Sequence, residues 1–582
     1  WRTAPAKIGH ILAQISQKTS YIAEKLITTL VIGVTIGAVM AMASNLFVEG
    51  VMALTRWRSS QTLLWPQLWA GFSPYPLLWL IITAALLIAL RKALGLNRWA
   101  GPADSILAAH NIENNLDVKT GIGSTIAAFI SVGGGAAVGQ YGPLVHFGAS
   151  LGAFMRRISK SRMANDVFIG CGVAGAIAAG FNAPLAGIVF AHEAVLRHFS
   201  MRSIAPITLS ATTAAGISRW GLGDRHALSL SVVPETLVSL VGPLILGGLI
   251  FGLLAVVFMV ALRQTARWSQ KSGMTAAHLI VLGAVGCGLI GGFVPQVLGL
   301  GTATILEMTW QNHSVQFLAL LMLAKMAASA FCIGTGVFGG VFSPALFVGA
   351  AGGALVAMFL STLGFAVSTA TMVICGMAAV SASVIGAPIA AVLIVLELTT
   401  SYEMAVAAAI AVAVSALLSN LLLGYSFFDR QLLDRGIDIS MGRGHLALSQ
   451  MPLSALMVQD YMTIAPHDSV QEVRLRLSNN GQTEAYCLSP EGQLLGKAEL
   501  AYLIALSPEV KISEHIDRSP LVLSQTSSVQ SALTKLARFV GESVPVIDQS
   551  TGVLKGVVFE SSLFHAFLDT QNQMTAIERG AV

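Results

Sequence analysis

Apolar residues along this chain come mostly in long unbroken stretches, without the alternation of a half-buried strand or the one-sided stripe of a surface helix. Stretches of roughly 20 residues, enough to cross a hydrocarbon core, recur near 26–49, 76–90, 236–262, 277–299, 315–333 and 404–424. Between them lie shorter apolar segments interrupted by glycine, a pattern that predicts broken helices. From residue 429 the texture changes: "DRQLLDRGIDISMGRGHLALSQ" (429–450) is polar, and short alternating runs mixed with amphipathic helical patterns follow. The pattern predicts a short segment over 1–24, an all-α polytopic membrane domain over 25–428, a linker over 429–450 and an α/β module over 451–582.

Composition agrees. Hydrophobic residues make up 54% of the chain and charged residues 11%, and the mean hydropathy is +0.73; a water-soluble globular protein of this size would not carry that balance. The formal net charge of +5 does not point to nucleic acid, because Lys and Arg gather at the ends of apolar segments, as topology signals do. Cys171, Cys287, Cys332 and Cys375 lie inside apolar segments, without metal or disulfide spacing, and read as small hydrophobes. Arg2, Lys7, Lys18 and Lys25 break up the first 25 residues, so no cleavable secretion signal is expected there. Neither a nucleophile with its base, nor a phosphate loop, nor a metal cluster stands out, which argues against an enzyme.

An internal repeat organises the membrane part. "CGVAGAIAAGFNAPLAGIVFAHE" (171–193) and "CGMAAVSASVIGAPIAAVLIVLE" (375–397) share Cys-Gly, Ala-Pro and a closing Glu at one offset of 204 residues. Upstream, "GPLVHFGASLG" (142–152) resembles "SPALFVGAAGG" (343–353), with Pro143/Pro344 and Gly148/Gly349 offset by 201. Two related halves, about 25–220 and 236–428, then carry interrupted helices at matching places, the pattern of a path through a membrane. Proline suits the first turn of a helix. The residues just before Pro143 (Gly139, Gln140, Tyr141, Gly142) and before Pro344 (Gly340, Val341, Phe342) would therefore aim their amides off two helix N-termini, which attract an anion. Partial charges also let the ion leave.

These residues resemble the CLC family of chloride channels and chloride/proton antiporters. "GQYGP" stands at the family's G-R-E-G-P, "GGVFSP" (339–344) at its G-x-F-x-P, and "FNAPLAGIVFAHE" at the segment after the first filter helix. The resemblance implies a homodimer of inverted-repeat protomers in membrane lipid, each with its own path for chloride or another small anion. It also shows departures. The gating glutamate of the family falls at Tyr141, a phenol whose unperturbed pKa of about 10 leaves it neutral. The internal proton-accepting glutamate falls at Ala194. The filter serine falls at Gly101 or Pro102 in "AGPADSI", and a proline there resembles nitrate-preferring members. The later tyrosine falls at Phe428, with Tyr425 as the weaker alternative. The expected function is a passive anion channel with Tyr141 as its gate; a proton-coupled chloride or nitrate antiporter using another proton path is the alternative. The Tyr141 hydroxyl is expected to point into the pore and donate to the anion beside the Val341 and Phe342 amides.

Other candidates read more modestly. Glu193, with its repeat partner Glu397, reads as a helix cap or an edge pair. His146 reads as a buried neutral histidine, and His192 is given no ligand role. Lys325 resembles the lysine before the second filter loop of relatives and reads as a source of positive potential or as one side of an ion pair. Asp104 reads as a cap for a helix starting at Ser105, or as a charge that repels anions. In the C-terminal module, "VPVIDQSTGVLKGVV" resembles the hairpin of CBS domains, and two similar halves (461–500 and 517–563) imply a tandem. The ribose-binding Asp of such tandems falls at Tyr502 and Ser562, so a structural or dimer-stabilising module is expected over an adenine-nucleotide sensor. The expected location is a prokaryotic inner (plasma) membrane, with the CBS module in the cytoplasm.

Overall fold

The computed structural model describes residues 4–62, 71–111, 116–159, 163–222 and 236–579; the first three residues of the expected 1–24 segment and the last three of the C-terminal module lie outside them. The chain divides into two compact units, Trp1–Ile437 and Asp438–Val582.

The first unit is helical. Its first half holds α1 (Ala4–Thr62), α2 (Tyr75–Leu94), α3 (Pro102–His110), α4 (Val118–Gly133), α5 (Tyr141–Ser159), α6 (Asn165–Phe181), α7 (Pro184–Phe190) with a π-helical turn (Ala191–Leu196), and α8 (Met201–Leu222). The second repeats that order with α9 (Leu237–Lys271), α10 (Ala276–Phe293), α11 (Thr302–Trp310), α12 (Val315–Thr335), α13 (Phe342–Thr362), α14 (Thr369–Ile385), α15 (Pro388–Thr399) and α16 (Tyr402–Leu423), and α17 (Phe427–Leu433) closes the unit. Seven helices among the described residues are long and apolar enough to cross a membrane. Six correspond to the expected stretches. The seventh, Phe342–Thr362, reads in the sequence as a short glycine-broken segment; its glycines do not break it, because they are where a neighbouring helix lies against it.

Two such crossings repeat. A Cβ on Gly148 would lie 2.2 Å from the carbonyl oxygen of Gly172, and one on Gly349 would lie 2.3 Å from that of Gly376. Hydrogen in place of a side chain thus lets α5 lie backbone to backbone on α6, and α13 on α14, the close approach that small residues allow in membranes. The halves also cap each other. Glu193 accepts the amides of Ile389 (2.9 Å) and Ala390 (2.8 Å) at the start of α15. Glu397 accepts those of Leu185 and Ala186, both 2.9 Å, at the start of α7. A carboxylate on two orphan first-turn amides satisfies donors the helix cannot. Each carboxylate lies at the end of its own segment and meets the beginning of the other, so α7 and α15 run antiparallel.

The second unit is α/β. Its sheets are β1 (Met462–Ile464), β2 (Glu484–Leu488), β3 (Leu494–Glu499) and β4 (Leu523–Ser524), β5 (Ser543–Ile547), β6 (Leu554–Phe559). In each the first strand runs parallel to the second and the second antiparallel to the third, with a register shift at the same place in both hairpins. The helices are α18 (Arg443–Gln450), α19 (Val470–Asn480), α20 (Leu500–Leu503), α21 (Val529–Leu536) and α22 (Glu560–Arg579). Ser469 and Ser528 cap α19 and α21 by accepting the amides of Glu472 (3.2 Å) and Ser531 (3.3 Å), which makes the repeated Ser-Val pairs helix starts. The stretch 429–450 divides between the two units: α17 ends in it at Leu433, and Leu448 of α18 is buried in the core behind the second sheet.

Candidate functional site

The site is assembled from helix beginnings. Gly139 and Gly340, equivalent in the repeat, pair across the centre of the first unit: the Gly139 amide donates to the Gly340 carbonyl at 2.7 Å and the Gly340 amide to the Gly139 carbonyl at 2.6 Å. This two-strand bridge holds the N-termini of α5 and α13 together. A Cβ on Gly142 would stand 3.1 Å from Gly340 Cα and 3.4 Å from Pro102 Cγ, so the start of α3 joins them. The pairing corrects one expectation: the Gly139 and Gly340 amides serve each other and not an anion. The amides of the first turns that follow, those of Val341 and Phe342 among them, have no partner within their own helix.

On one side of this junction lies a cavity of ≈ 420 Å³, a vestibule. Of the residues singled out by sequence, Gly101, Pro102, Gly340, Val341 and Phe428 line it. Gly101 precedes α3 and Pro102 opens it, so this mouth offers no side-chain hydroxyl at either alignment of the filter serine. Phe428 is in the wall. Tyr425, the alternative, is elsewhere: it lines a separate cavity of ≈ 380 Å³ near Ser383 and Ser419, and the Arg430 guanidinium lies 5.0 Å over its ring.

Tyr141 closes the junction. Its ring stacks on Phe181 (centroids 3.7 Å, 22° between planes) and meets the edge of Phe342 at 5.8 Å and 84°. Phe181 and Phe342 touch at 5.2 Å, so three rings form one aromatic plug. Glycine at 180 makes room, since a Cβ there would come within 3.0 Å of the Tyr141 ring. The hydroxyl departs from expectation: it lies 3.4 Å from the Gly180 carbonyl, at the long limit of a hydrogen bond, and Tyr141 does not line the vestibule. Stacking fixes the ring, and the ring carries its hydroxyl toward α6. Phe181 and Phe342 also border a small cavity whose other walls include Leu346, Ile374, Ile394 and Val395, an almost entirely apolar lining.

Charge lies at the vestibule. Arg91, Arg98 and Arg435 line it with Asp104. Asp104 corrects another expectation: α3 starts at Pro102, not at Ser105, and Asp104 at its third position reaches back to the Gly101 amide at 2.9 Å. It is also clamped by Arg98 (2.7 and 3.1 Å) and Arg435 (2.8 Å), so its charge is compensated and the mouth keeps a positive surplus, which attracts anions. Gln140 and Ser343, buried at the two helix starts, each keep an oxygen without a partner.

The remaining candidates support this frame. Ala194 lies in the π-helical turn Ala191–Leu196, and Arg197, at φ +58°, follows it and pairs with Asp429. The His146 ring bonds Ser105 Oγ at 2.8 Å and is buried. His192 bonds the His198 carbonyl at 2.9 Å and stacks on Phe199. Among the described residues Lys325 has no carboxylate partner, and it does not line the vestibule. It is wholly buried, and its ammonium donates to the carbonyls of Val297 (2.8 Å) and Gly299 (2.7 Å); Gly299 in turn donates to Gly135 (3.0 Å) in the loop ahead of Gly139. Sequence reasoning missed Phe181, Trp99, Phe338 and Arg435. Phe181 sits inside the "FNAP" motif that was already in view; the other three come close only through the fold.

Comparison with known proteins gives the family and the fold. A family model described as "Voltage gated chloride channel" matches residues 96–420. The chain is 30% identical over 327 residues to the H(+)/Cl(-) exchange transporter ClcA of Vibrio parahaemolyticus, covering 52% of this chain and 67% of that protein. It is 32% identical over 295 residues to the ClcA of Vibrio vulnificus strain YJ016, covering 47% and 60%. Among solved structures, a slow cyanobacterial Cl-/H+ antiporter aligns with a TM-score of 0.62 at 22% identity over 70% of this chain and 97% of the other. A eukaryotic CLC transporter aligns with a TM-score of 0.61 at 18% identity, over 92% of this chain and 98% of that one. At these identities the structural likeness speaks for the fold.

Proposed function

We propose that this chain, which belongs to the voltage gated chloride channel family and whose broad role is anion transport across a membrane, carries chloride and related small anions passively, without obligatory proton exchange. The observation behind this is the aromatic plug. Where the family places an ionisable gate, Tyr141 lies stacked on Phe181 and edge-on to Phe342, and a phenol neither competes with an anion as a carboxylate nor carries a proton in each cycle. The internal position is Ala194, and both oxygens of the neighbouring Glu193 are engaged by amides. Tyr141 is the gate in this reading, opening when its ring leaves the stack. The filter lies between Gly101/Pro102, the first turns of α5 and α13, and Phe428, and donates through backbone amides.

Around this core we infer a homodimer with one path per protomer, embedded in lipid of a prokaryotic inner membrane. Residues 451–582 are read as a tandem of CBS domains on the cytoplasmic side. Its matched β-α-β-β halves support that reading. The absence of an acid at Tyr502 and Ser562 favours a structural over a nucleotide-sensing role, with adenine nucleotide as the ligand to test. A second reading, a proton-coupled chloride or nitrate antiporter with a different proton path, draws on the two Vibrio relatives, which are named as exchangers. Proteoliposomes with an outward chloride gradient, recorded for chloride and external pH together, separate the two. Chloride efflux with no proton uptake beyond protein-free vesicles is expected; proton uptake in fixed proportion to chloride would overturn the passive reading.

A further inference from the structure

Beside the vestibule, a second cavity of ≈ 190 Å³ opens between α9, the end of α16 and α17. Its walls are of two kinds. Val260, Leu262 and Leu423 are apolar, while Arg263, Arg430 and Asp434 bring charge. The cavity sits at a definite depth. The apolar run of α9 ends at Leu262, and Arg263, Arg267 and Lys271 follow. On the same helix Val257 and Val260 are 48% and 49% exposed, the apolar face that a membrane helix turns to lipid. The cavity therefore lies where acyl chains give way to headgroups, a level at which arginines keep their stems in the apolar layer and their heads in the polar one.

The charges here do not balance. Arg263 donates to Asp434 through Nε and Nη2 (3.0 and 2.6 Å), and Arg267 stands 3.6 Å from the same carboxylate. Arg430 donates to the Leu423 carbonyl at 2.7 Å; its Nε is buried with no acceptor. Arg435, also in the wall, shares Asp104 with Arg98. Over this connected set, five guanidiniums face two carboxylates. A buried donor without a partner is costly to maintain, and a guanidinium fork matches the oxygens of a phosphate. The cavity, several times the ~30 Å³ that one water takes in the liquid, has room for them.

We propose that this cavity is a binding site for the phosphate of an anionic membrane lipid, held by Arg263 and Arg430 with Arg267 at the rim, its acyl chains lying along the exposed face of α9. Asp434 is then a competitor of the phosphate for Arg263 and Arg267. Gln431 and Arg435 line both this cavity and the vestibule, and Arg435 reaches Asp104 at the first turn of α3, so the headgroup stands one residue away from the filter.

The test uses the full-length protein purified in detergent and native mass spectrometry with phosphatidylglycerol and phosphatidylcholine at equal mole fraction. Preferential retention of one phosphatidylglycerol per chain is expected. Arg263→Gln combined with Arg430→Gln removes two charged donors and reduces that preference about tenfold or more. Asp434→Asn removes the competitor and raises retention about threefold, the smaller change expected for a partly exposed charge. The opposite signs matter: a merely structural ion pair, once broken, would lower retention in both variants, and if the double variant fails to fold, the Asp434→Asn arm decides alone. Equal retention of both lipids by the wild type, an unchanged preference in the double variant, lower retention in Asp434→Asn, or displacement of the lipid by inorganic phosphate at equal concentration would each overturn the proposal.

Discussion

The two halves of the membrane unit share their backbone devices and differ in their side chains. Each brings a helix beginning to the Gly139–Gly340 bridge, lays that helix on the next through facing glycines, and sends a glutamate to cap the other half. At the equivalent positions next to the bridge, however, one half has Tyr141 and Gly142 and the other Phe342 and Ser343. What the halves share is what any broken-helix path needs to stay folded with its amides satisfied or aimed inward. Where they differ, the surroundings of the bridge become unlike: arginines and Asp104 line the vestibule, while the small cavity beside Phe181 and Phe342 is lined almost entirely by apolar side chains.

The shared part should break hardest. Gly148→Val and Gly349→Val each drive a side chain into a carbonyl that already lies within 2.3 Å of a Cβ. Neither can be relieved by a rotamer, so each should cost well over the ~1–3 kcal/mol of ordinary overpacking and leave no folded protein on size-exclusion chromatography. If the halves are structurally equivalent, the two variants fail alike; a folded Gly349→Val beside an unfolded Gly148→Val would break the comparison. The capping glutamates come next. Glu193→Gln and Glu397→Gln each replace a charged acceptor of two amides, at about 1.5–3 kcal/mol apiece, and should lower the thermal midpoint in detergent by similar amounts. A Glu193→Gln variant that kept its stability but lost a measurable proton flux would identify Glu193 as a proton carrier and remove the symmetry.

Much of this frame was legible in the sequence, because repetition leaves marks at fixed offsets. Pro143 with Pro344 and Glu193 with Glu397 mark helix starts and a shared structural acid in both halves, while Gly148 with Gly349 marks the repeat but not the neighbouring helix that lies against it. The vestibule was less legible. Arg435 meets Asp104 across more than 300 residues, and Trp99 lies beside Phe338 (6.0 Å); no local pattern encodes either. The orientation of Tyr141 is hidden from the sequence for a similar reason: the partner that holds the ring, Phe181, is the last residue of another helix. Lys325 shows the limit from the other side. A lysine in an apolar run suggests an ion pair, and the fold gives it two carbonyls instead.

The asymmetric part should respond in its function, with stability little changed. Removing the stacking partner by Phe181→Ala takes away a contact of about 0.5–1.5 kcal/mol beyond area burial. If the stack is what keeps the gate shut, anion flux in proteoliposomes should rise about two- to tenfold by that arithmetic. Phe342→Ala, which leaves the Tyr141–Phe181 stack and removes the edge contacts of Phe342 with both rings, should do less.

The smallest effect sharpens the comparison most. Tyr141→Phe makes the two halves identical at the position after Gln140 and Val341. The hydroxyl it deletes has the Gly180 carbonyl at 3.4 Å, a distance at which a hydrogen bond contributes little. Flux and the relative permeability of chloride and nitrate should therefore stay within about twofold of the wild type, a difference of roughly 0.4 kcal/mol on the scale where 1.4 kcal/mol is tenfold. In that case the gate works through the face of an aromatic ring, and tyrosine differs from phenylalanine only in the weak tether that points it at α6. A larger fall in anion affinity would mean that the ring turns during transport and brings its hydroxyl to the ion, and the closed stack would then be only one of two working positions of the same residue.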